Sequence, residues 1–159
     1  KCFAELKRHH KDLSMLVVGN GGALSNAKDY VKKNKIKDIF FKGHLEEVDL
    51  INSFRKSDIY LLPTFHGEGM PTSILEAMAF GLPVITRPVG GINDFFKDGE
   101  MGFLVNSLDP LKFSKKTSEL LNNVNLKEKI AIANYKYAKS NFYASRVAIQ
   151  LENIIKKSF

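Results

Sequence analysis

The sequence is poor in several features that would take it out of the ordinary run of interior-packed proteins. It holds a single cysteine, Cys2, so no disulfide framework exists within the chain and a reducing compartment fits. No apolar run approaches the ~20 residues that a membrane-crossing helix needs. Nothing at the start reads as a secretory signal. The four histidines, His9, His10, His44 and His66, lack the spacing of metal ligands, so no metal site is expected. Internal repeats, low-complexity tracts and linkers are missing too. What remains is the expectation of one domain over residues 1–159, long enough to bury roughly 70% of its unfolded surface. The chain opens on Lys1, and "KCFAELKRHHKDLSM" reads as the tail of a helix running into a strand, as in a piece of something longer.

Acidic residues are the scarcer charge, with 17 Asp and Glu against 24 Lys and Arg, for a formal net charge of +7. That balance favours an anionic partner, whether nucleotide, nucleic acid or an acidic membrane face, and solubility alone accounts for it equally well. The lysines are spread over "KDYVKKNKIKD", "LDPLKFSKK" and "IIKKSF" as the outer faces of helices would be. Nucleic-acid recognition motifs are absent, and no nucleic-acid partner is expected.

Strand-like and helix-like segments alternate along the chain. Short apolar runs at "SMLVVG", "DIFFKG", "DIYLLP", "PVITR" and Gly102–Val105 read as strands. Between them, "LSNAKDYVKKN" places Leu24, Ala27 and Val31 on one helix face, and "EEVDLINSFRKS" does the same with Val48, Ile51 and Phe54. "TSILEAMAFG" is a short helix that Gly81 should stop. Only helices follow Val105. Asp109 with Pro110 reads as an N-cap and first helical residue, Asn125 with Glu128 as a second capping pair, and a last amphipathic helix covers about 144–157. Such alternation with short links predicts an α/β, Rossmann-like three-layer domain with a parallel sheet, plus C-terminal helices. Ligands of such sheets bind outside the carboxyl ends of the strands, so the turns after Gly19, Gly43, Pro63 and Arg87 matter most.

Two of those turns carry chemistry. "VVGNGGALS" puts Gly19, Gly21 and Gly22 between a strand and a helix, where backbone can approach a phosphate. It lacks the third glycine of the dinucleotide fingerprint, and the next strand ends "FFKG" without the acid that would hold a ribose, so it does not read as an NAD site. The second turn is "TFHGEGMP", leading into "TSILEAM", with Glu68 and Glu76 separated by seven residues. Ser73 and Glu76 fit a capping box, which accounts for Glu76 with no ligand; a ligand role fits it as well. Glu68 has no such structural role and is otherwise an exposed loop charge. The helix start offers N–H groups at about Ser73, Ile74 and Leu75 to an anion such as a diphosphate. Carboxylates on either side of a diphosphate are compatible if they accept from hydroxyls, and a nucleotide sugar has that layout. At the same edge Arg87 suits a phosphate contact, an interface or a solvated strand end, while Phe95, Phe96 and Phe103 read as core.

"EGMPTSILEAMAFGLPVI" resembles the E-x7-E signature of the retaining glycosyltransferases of family four, whose GT-B fold pairs two Rossmann-like domains. The resemblance extends over nearly the whole chain: "VVGNGG" is similar to the family's V-G-x-G turn, "IFFKGHLEEVDLINSFRKSDIYLLPT" to its F-x-G segment and following strand, and "VGGINDFFKDGEMGFLV" to its V-G-G segment. It implies the C-terminal, donor-binding half of such an enzyme, with the N-terminal acceptor domain, the first strand of this domain and its basic phosphate-binding pair lying before Lys1. Carried over, Glu68 contacts hydroxyls of the transferred sugar, Gly69, Met70, Pro71 and Thr72 place backbone near the sugar and β-phosphate, and Glu76 accepts from the ribose. His44 and Leu45 border the base, and Gly19 and Gly21 lie under the nucleotide. Pro71 departs from the family's frequent glycine and removes one N–H donor. Asn93-Asp94 replaces the usual acid with a shorter side chain, and no role is assigned to Asp94. The implied activity is sugar transfer from a UDP- or GDP-sugar to a saccharide or lipid-linked acceptor, without cofactor or metal. The implied setting is the cytoplasm, with peripheral membrane contact. A non-catalytic nucleotide-binding module is the alternative.

Overall fold

A computed structural model describes residues 1–67 and 69–158, with only the backbone at 158. The chain divides into two compact units, Lys1–Lys56 and Ser57–Phe159. The first contains α1 (Cys2–His9), β1 (Met15–Val18), α2 (Leu24–Lys33), β2 (Ile39–Gly43) and α3 (Glu47–Arg55). The second contains β3 (Tyr60–Leu62), α4 (Thr72–Ala79), β4 (Val84–Thr86), α5 (Ile92–Phe95), β5 (Gly102–Leu104), α6 (Pro110–Asn122), α7 (Val124–Asn141) and α8 (Ala144–Ser158). The α/β class and the parallel pairing are as the sequence implies. The strands form two parallel sheets rather than one ladder: β1-β2 in the first unit and β3-β4-β5 in the second.

In the first unit Lys7 ties the elements together. Its ammonium donates to the Lys11 carbonyl, to the Leu13 carbonyl at 3.0 Å and to Asp38 at 2.7 Å, while the Asp38 carbonyl accepts from the Met15 N–H. The approach to β1 is thereby fixed to the approach to β2. Phe3, Leu6 and Phe54 are the buried apolar side chains of this unit among the described residues. The helix faces expected from periodicity are only partly covered. None of α2 is buried, and on α3 Phe54 is buried while Val48 is 66% exposed. Amphipathic spacing marks which face prefers a partner, but a two-stranded sheet is too narrow to cover three helices.

The second unit holds the remaining core. Ile74, Ala77 and Met78 of α4 meet Val84 and Ile85 of β4 and Ile130 and Ala138 of α7, all essentially without exposure. Phe96 and Phe103 are core residues as expected, and half-buried Phe95 packs edge-on against Phe96 and Phe142. Helix α4 ends as Gly81 implies. Gly81 adopts φ +74, its N–H donates to the Met78 carbonyl and the Leu82 N–H reaches back to the Ala77 carbonyl. Asp109 caps α6 by accepting from the Leu111 N–H at 2.9 Å, with Pro110 in the first turn. The cap of α7 is Asn123, which accepts from the Leu126 N–H, and not Asn125, because the helix starts two residues earlier than the Asn125–Glu128 spacing suggests. Among the described residues no helix is long and apolar enough to cross a membrane.

Candidate functional site

The mouth of α4 differs from a capping box. The helix begins at Thr72, Pro71 occupies the N-cap with extended backbone, and no side chain caps it. Ser73 is therefore the second helical residue and Glu76 the fifth, and Pro71 at the N-cap has no N–H for a capping-box acid to reach back to, so the capping-box reading is overturned. The Pro71 carbonyl accepts from the N–H groups of Ile74 at 3.0 Å and Leu75 at 3.4 Å. Those two amides are spent inside the helix, and the Ile74 side chain is fully buried. The amides of Thr72 and Ser73 have no backbone acceptor among the described residues. The amides without a backbone acceptor are thus those of 72 and 73, one residue earlier than the sequence suggests.

Glu76 lies three and four residues beyond Ser73 and Thr72, so the three share a helix face. That face is opposite Ile74, Ala77 and Met78, with Thr72 and Glu76 exposed and Ser73 half-buried. Among the described residues Glu76 makes no ion pair that would occupy its carboxylate. At a rise of about 1.5 Å per residue, it stands roughly 5–6 Å along the axis from the free amides. Unpaired backbone donors and a carboxylate are therefore set about one helical turn apart.

The loop before α4 is exposed from Phe65 to Met70 wherever it is described, and the Phe65 and His66 rings lie 4.2 Å apart. Glu68 lies outside the described residues. A Cβ at Gly67 or Gly69 would meet nothing within 4 Å, so these glycines leave backbone open rather than fill a packed corner. Gly91 is different: a Cβ there would stand 1.9 Å from the Gly69 carbonyl oxygen. The turn after β4 thus supports the glutamate loop through a contact only glycine permits. Sequence reasoning gave Gly91 no role of its own, because its signal is a steric contact between residues more than twenty positions apart. Arg87, between β4 and that turn, is half-buried, and its Nε is buried with no hydrogen-bond partner among the described residues.

In the first unit, Gly19, Gly21, His44 and Leu45 gather at the carboxyl ends of β1 and β2. Gly19 adopts φ +119 and donates its N–H to the Gly43 carbonyl at 2.6 Å, joining the two turns at the Val17/Val18 irregularity of the ladder. Space beside Gly19 and Gly21 is open. His44 is exposed, with Nε2 3.0 Å from Glu46, and Leu45 is half-buried. Among the described residues no group of three or more His, Cys, Asp or Glu side chains is arranged as metal ligands.

Comparison with known proteins bears on this arrangement. The family model described as "Glycosyl transferases group 1" matches residues 1–137. An uncharacterized glycosyltransferase of Methanocaldococcus jannaschii is 25% identical over 158 residues, covering 99% of this chain and 40% of its own. The D-inositol 3-phosphate glycosyltransferase of Paenarthrobacter aurescens is 29% identical over 153 residues, covering 92% of this chain and 36% of its own. Among solved structures, the pneumococcal O-GlcNAc transferase GtfA in complex with UDP and GlcNAc superposes with a TM-score of 0.83 at 23% identity, over 98% of this chain and 31% of that one. The C-terminal domain of the group 1 glycosyl transferase LpcC from Francisella tularensis gives 0.77 at 26% identity, over 90% of this chain and 76% of that one. The chain thus spans well under half the length of the two curated relatives, and with the family model covering most of its residues it belongs to the group 1 glycosyltransferases.

Proposed function

We propose that this chain is the donor-binding domain of a retaining glycosyltransferase, holding a nucleotide-diphosphate sugar for transfer to a saccharide or lipid-linked acceptor. The observation that carries this is the uncapped mouth of α4, with Thr72 and Ser73 amides open and Glu76 one turn away on the exposed face. A diphosphate suits the amides and the positive end of the helix dipole, and a ribose diol suits Glu76. The UDP held by the structural neighbour GtfA supports the same ligand class.

In this reading Gly69, Met70 and Pro71 lie along the sugar and β-phosphate. Glu68 accepts from sugar hydroxyls and orients the anomeric carbon for front-face attack, and no nucleophilic role is assigned to it. As the bond to the β-phosphate oxygen breaks, the departing diphosphate gains charge, which preorganised N–H groups and basic side chains stabilise without a metal. The acceptor half and the remaining basic pair would come from sequence beyond these residues, so the chain alone binds nucleotide and turns nothing over. Contact with an acidic membrane face would suit its net charge of +7.

Titration with UDP, GDP and their sugars tests the reading, with one diphosphate expected to bind and the parent nucleoside to bind more weakly. Glu76→Gln should lower that affinity about tenfold, the loss of one charge-assisted hydrogen bond. Its melting point should stay nearly constant, because Glu76 closes no cap. A large melting loss with unchanged affinity would contradict the assignment.

A further inference from the structure

Arg87 follows β4 directly, at the carboxyl end of the three-stranded sheet. Its backbone is fixed on both sides. Thr86 before it is fully buried, donates its hydroxyl to the Leu62 carbonyl at 2.9 Å and accepts from the Val105 N–H at 2.8 Å. After it, the Val89 N–H donates to the Arg87 carbonyl at 2.9 Å and turns the chain toward Gly91, which lies against Gly69 of the glutamate loop. The turn that follows Arg87 therefore borders the same loop that leads into the open amides of α4.

A strand-end arginine in a purely solvated role would have water on every N–H. Here Nε is shut off from solvent and finds no acceptor among the described residues. A buried donor without an acceptor is unfavourable, and a ligand oxygen is one partner that would satisfy it. The guanidinium's planar fork matches two oxygens of a phosphate.

We propose that Arg87 is an oxyanion ligand of the donor site, donating to a phosphate group of the bound nucleotide diphosphate. This rests on the nucleotide-sugar reading above. The contact adds positive charge where the leaving diphosphate accumulates negative charge, so Arg87 serves both donor binding and departure of the leaving group.

The test is titration of the wild type, Arg87→Met and Arg87→Lys with UDP and uridine (or GDP and guanosine, whichever pair the wild type prefers), alongside melting curves. Arg87→Met should lose tenfold or more in diphosphate affinity while nucleoside affinity stays within twofold. Arg87→Lys, which keeps the charge but not the fork, should recover part of the loss. Unchanged diphosphate affinity in Arg87→Met would overturn the proposal, as would parallel loss of diphosphate and nucleoside binding in both variants, the mark of a merely structural side chain. A wild type that binds neither diphosphate would instead overturn the nucleotide-sugar reading itself.

Discussion

At the scale of single residues, the absent atoms matter as much as the charged ones. Pro71 lacks an N–H, but as the N-cap it sits where the helix needs a carbonyl acceptor, and that carbonyl takes the Ile74 and Leu75 amides. The donors facing outward are those of Thr72 and Ser73, which the proline leaves untouched. Gly91 lacks a Cβ, and that permits the Gly69 carbonyl to lie against it. Its φ of −68 is available to any residue, so Gly91→Ala isolates the steric term. The substitution should displace the 64–71 loop, weaken nucleotide-sugar binding by at least tenfold and cost about 1–3 kcal/mol of stability. Calorimetric titration and thermal melting read the two effects separately. Cys2 provides a third case. Burial raises its thiol from the usual 9.0 to about 11, keeping it protonated and unreactive near neutrality. Alkylation should be slow at pH 8 and accelerate as the pH climbs toward 11. The same raised value favours the folded state below pH 9, with that contribution lost between 9 and 11.

At the scale of elements, the support beneath α4 comes from α7. Asn134, fully buried on α7, donates through Nδ2 to the Leu82 carbonyl at 2.8 Å and the Met101 carbonyl at 2.9 Å. One amide thus joins the residues just before β4 to those just before β5. Asn134→Ala would strand the Leu82 carbonyl, while the Met101 carbonyl keeps the Val84 N–H at 3.2 Å, and a loss of about 2 kcal/mol is expected, read as a drop of roughly 4–8 °C in melting temperature. The close approach of Gly81 to the Ala131 carbonyl, where a Cβ would stand at 3.2 Å, seats the other end of α4 on the same helix. Helix α8 shows the limit of periodicity. Its Val147, Leu151 and Ile155 form an apolar stripe as the sequence implies, yet all three are exposed. A hydrophobic face states a preference, and only a neighbouring surface satisfies it.

At the scale of the molecule, the two units differ in how much they bury. Phe3, Leu6 and Phe54 are the described core of the first, whereas the second packs buried residues of α4 and α6 against β4 and sets α7 against both helices. Local opening follows buried apolar contact. Amides of β3–β5 should therefore exchange hydrogen much more slowly than those of β1–β2, and mass-spectrometric exchange should show the boundary near Lys56. Equal protection in both units would contradict this.

Much of this protein was legible in its sequence because the signals were local. Strand positions came from short apolar runs, the end of α4 from Gly81, the cap of α6 from Asp109-Pro110, and the glutamate stretch from the spacing of Glu68 and Glu76. The α/β class and the family follow from those signals in order. Features that depend on distant partners needed the tertiary structure. The start of α4 is at Thr72, with Pro71 in extended backbone at the N-cap, rather than at a Ser73 cap. The cap of α7 shifts to Asn123, and the sheet divides in two. The support of Gly69 by Gly91, the double bond from Asn134 and the orphaned Nε of Arg87 join residues far apart along the chain or expose a buried group's missing partner. Local propensity is set by neighbours in sequence, whereas burial, close approach and hydrogen-bond satisfaction are set by neighbours in space.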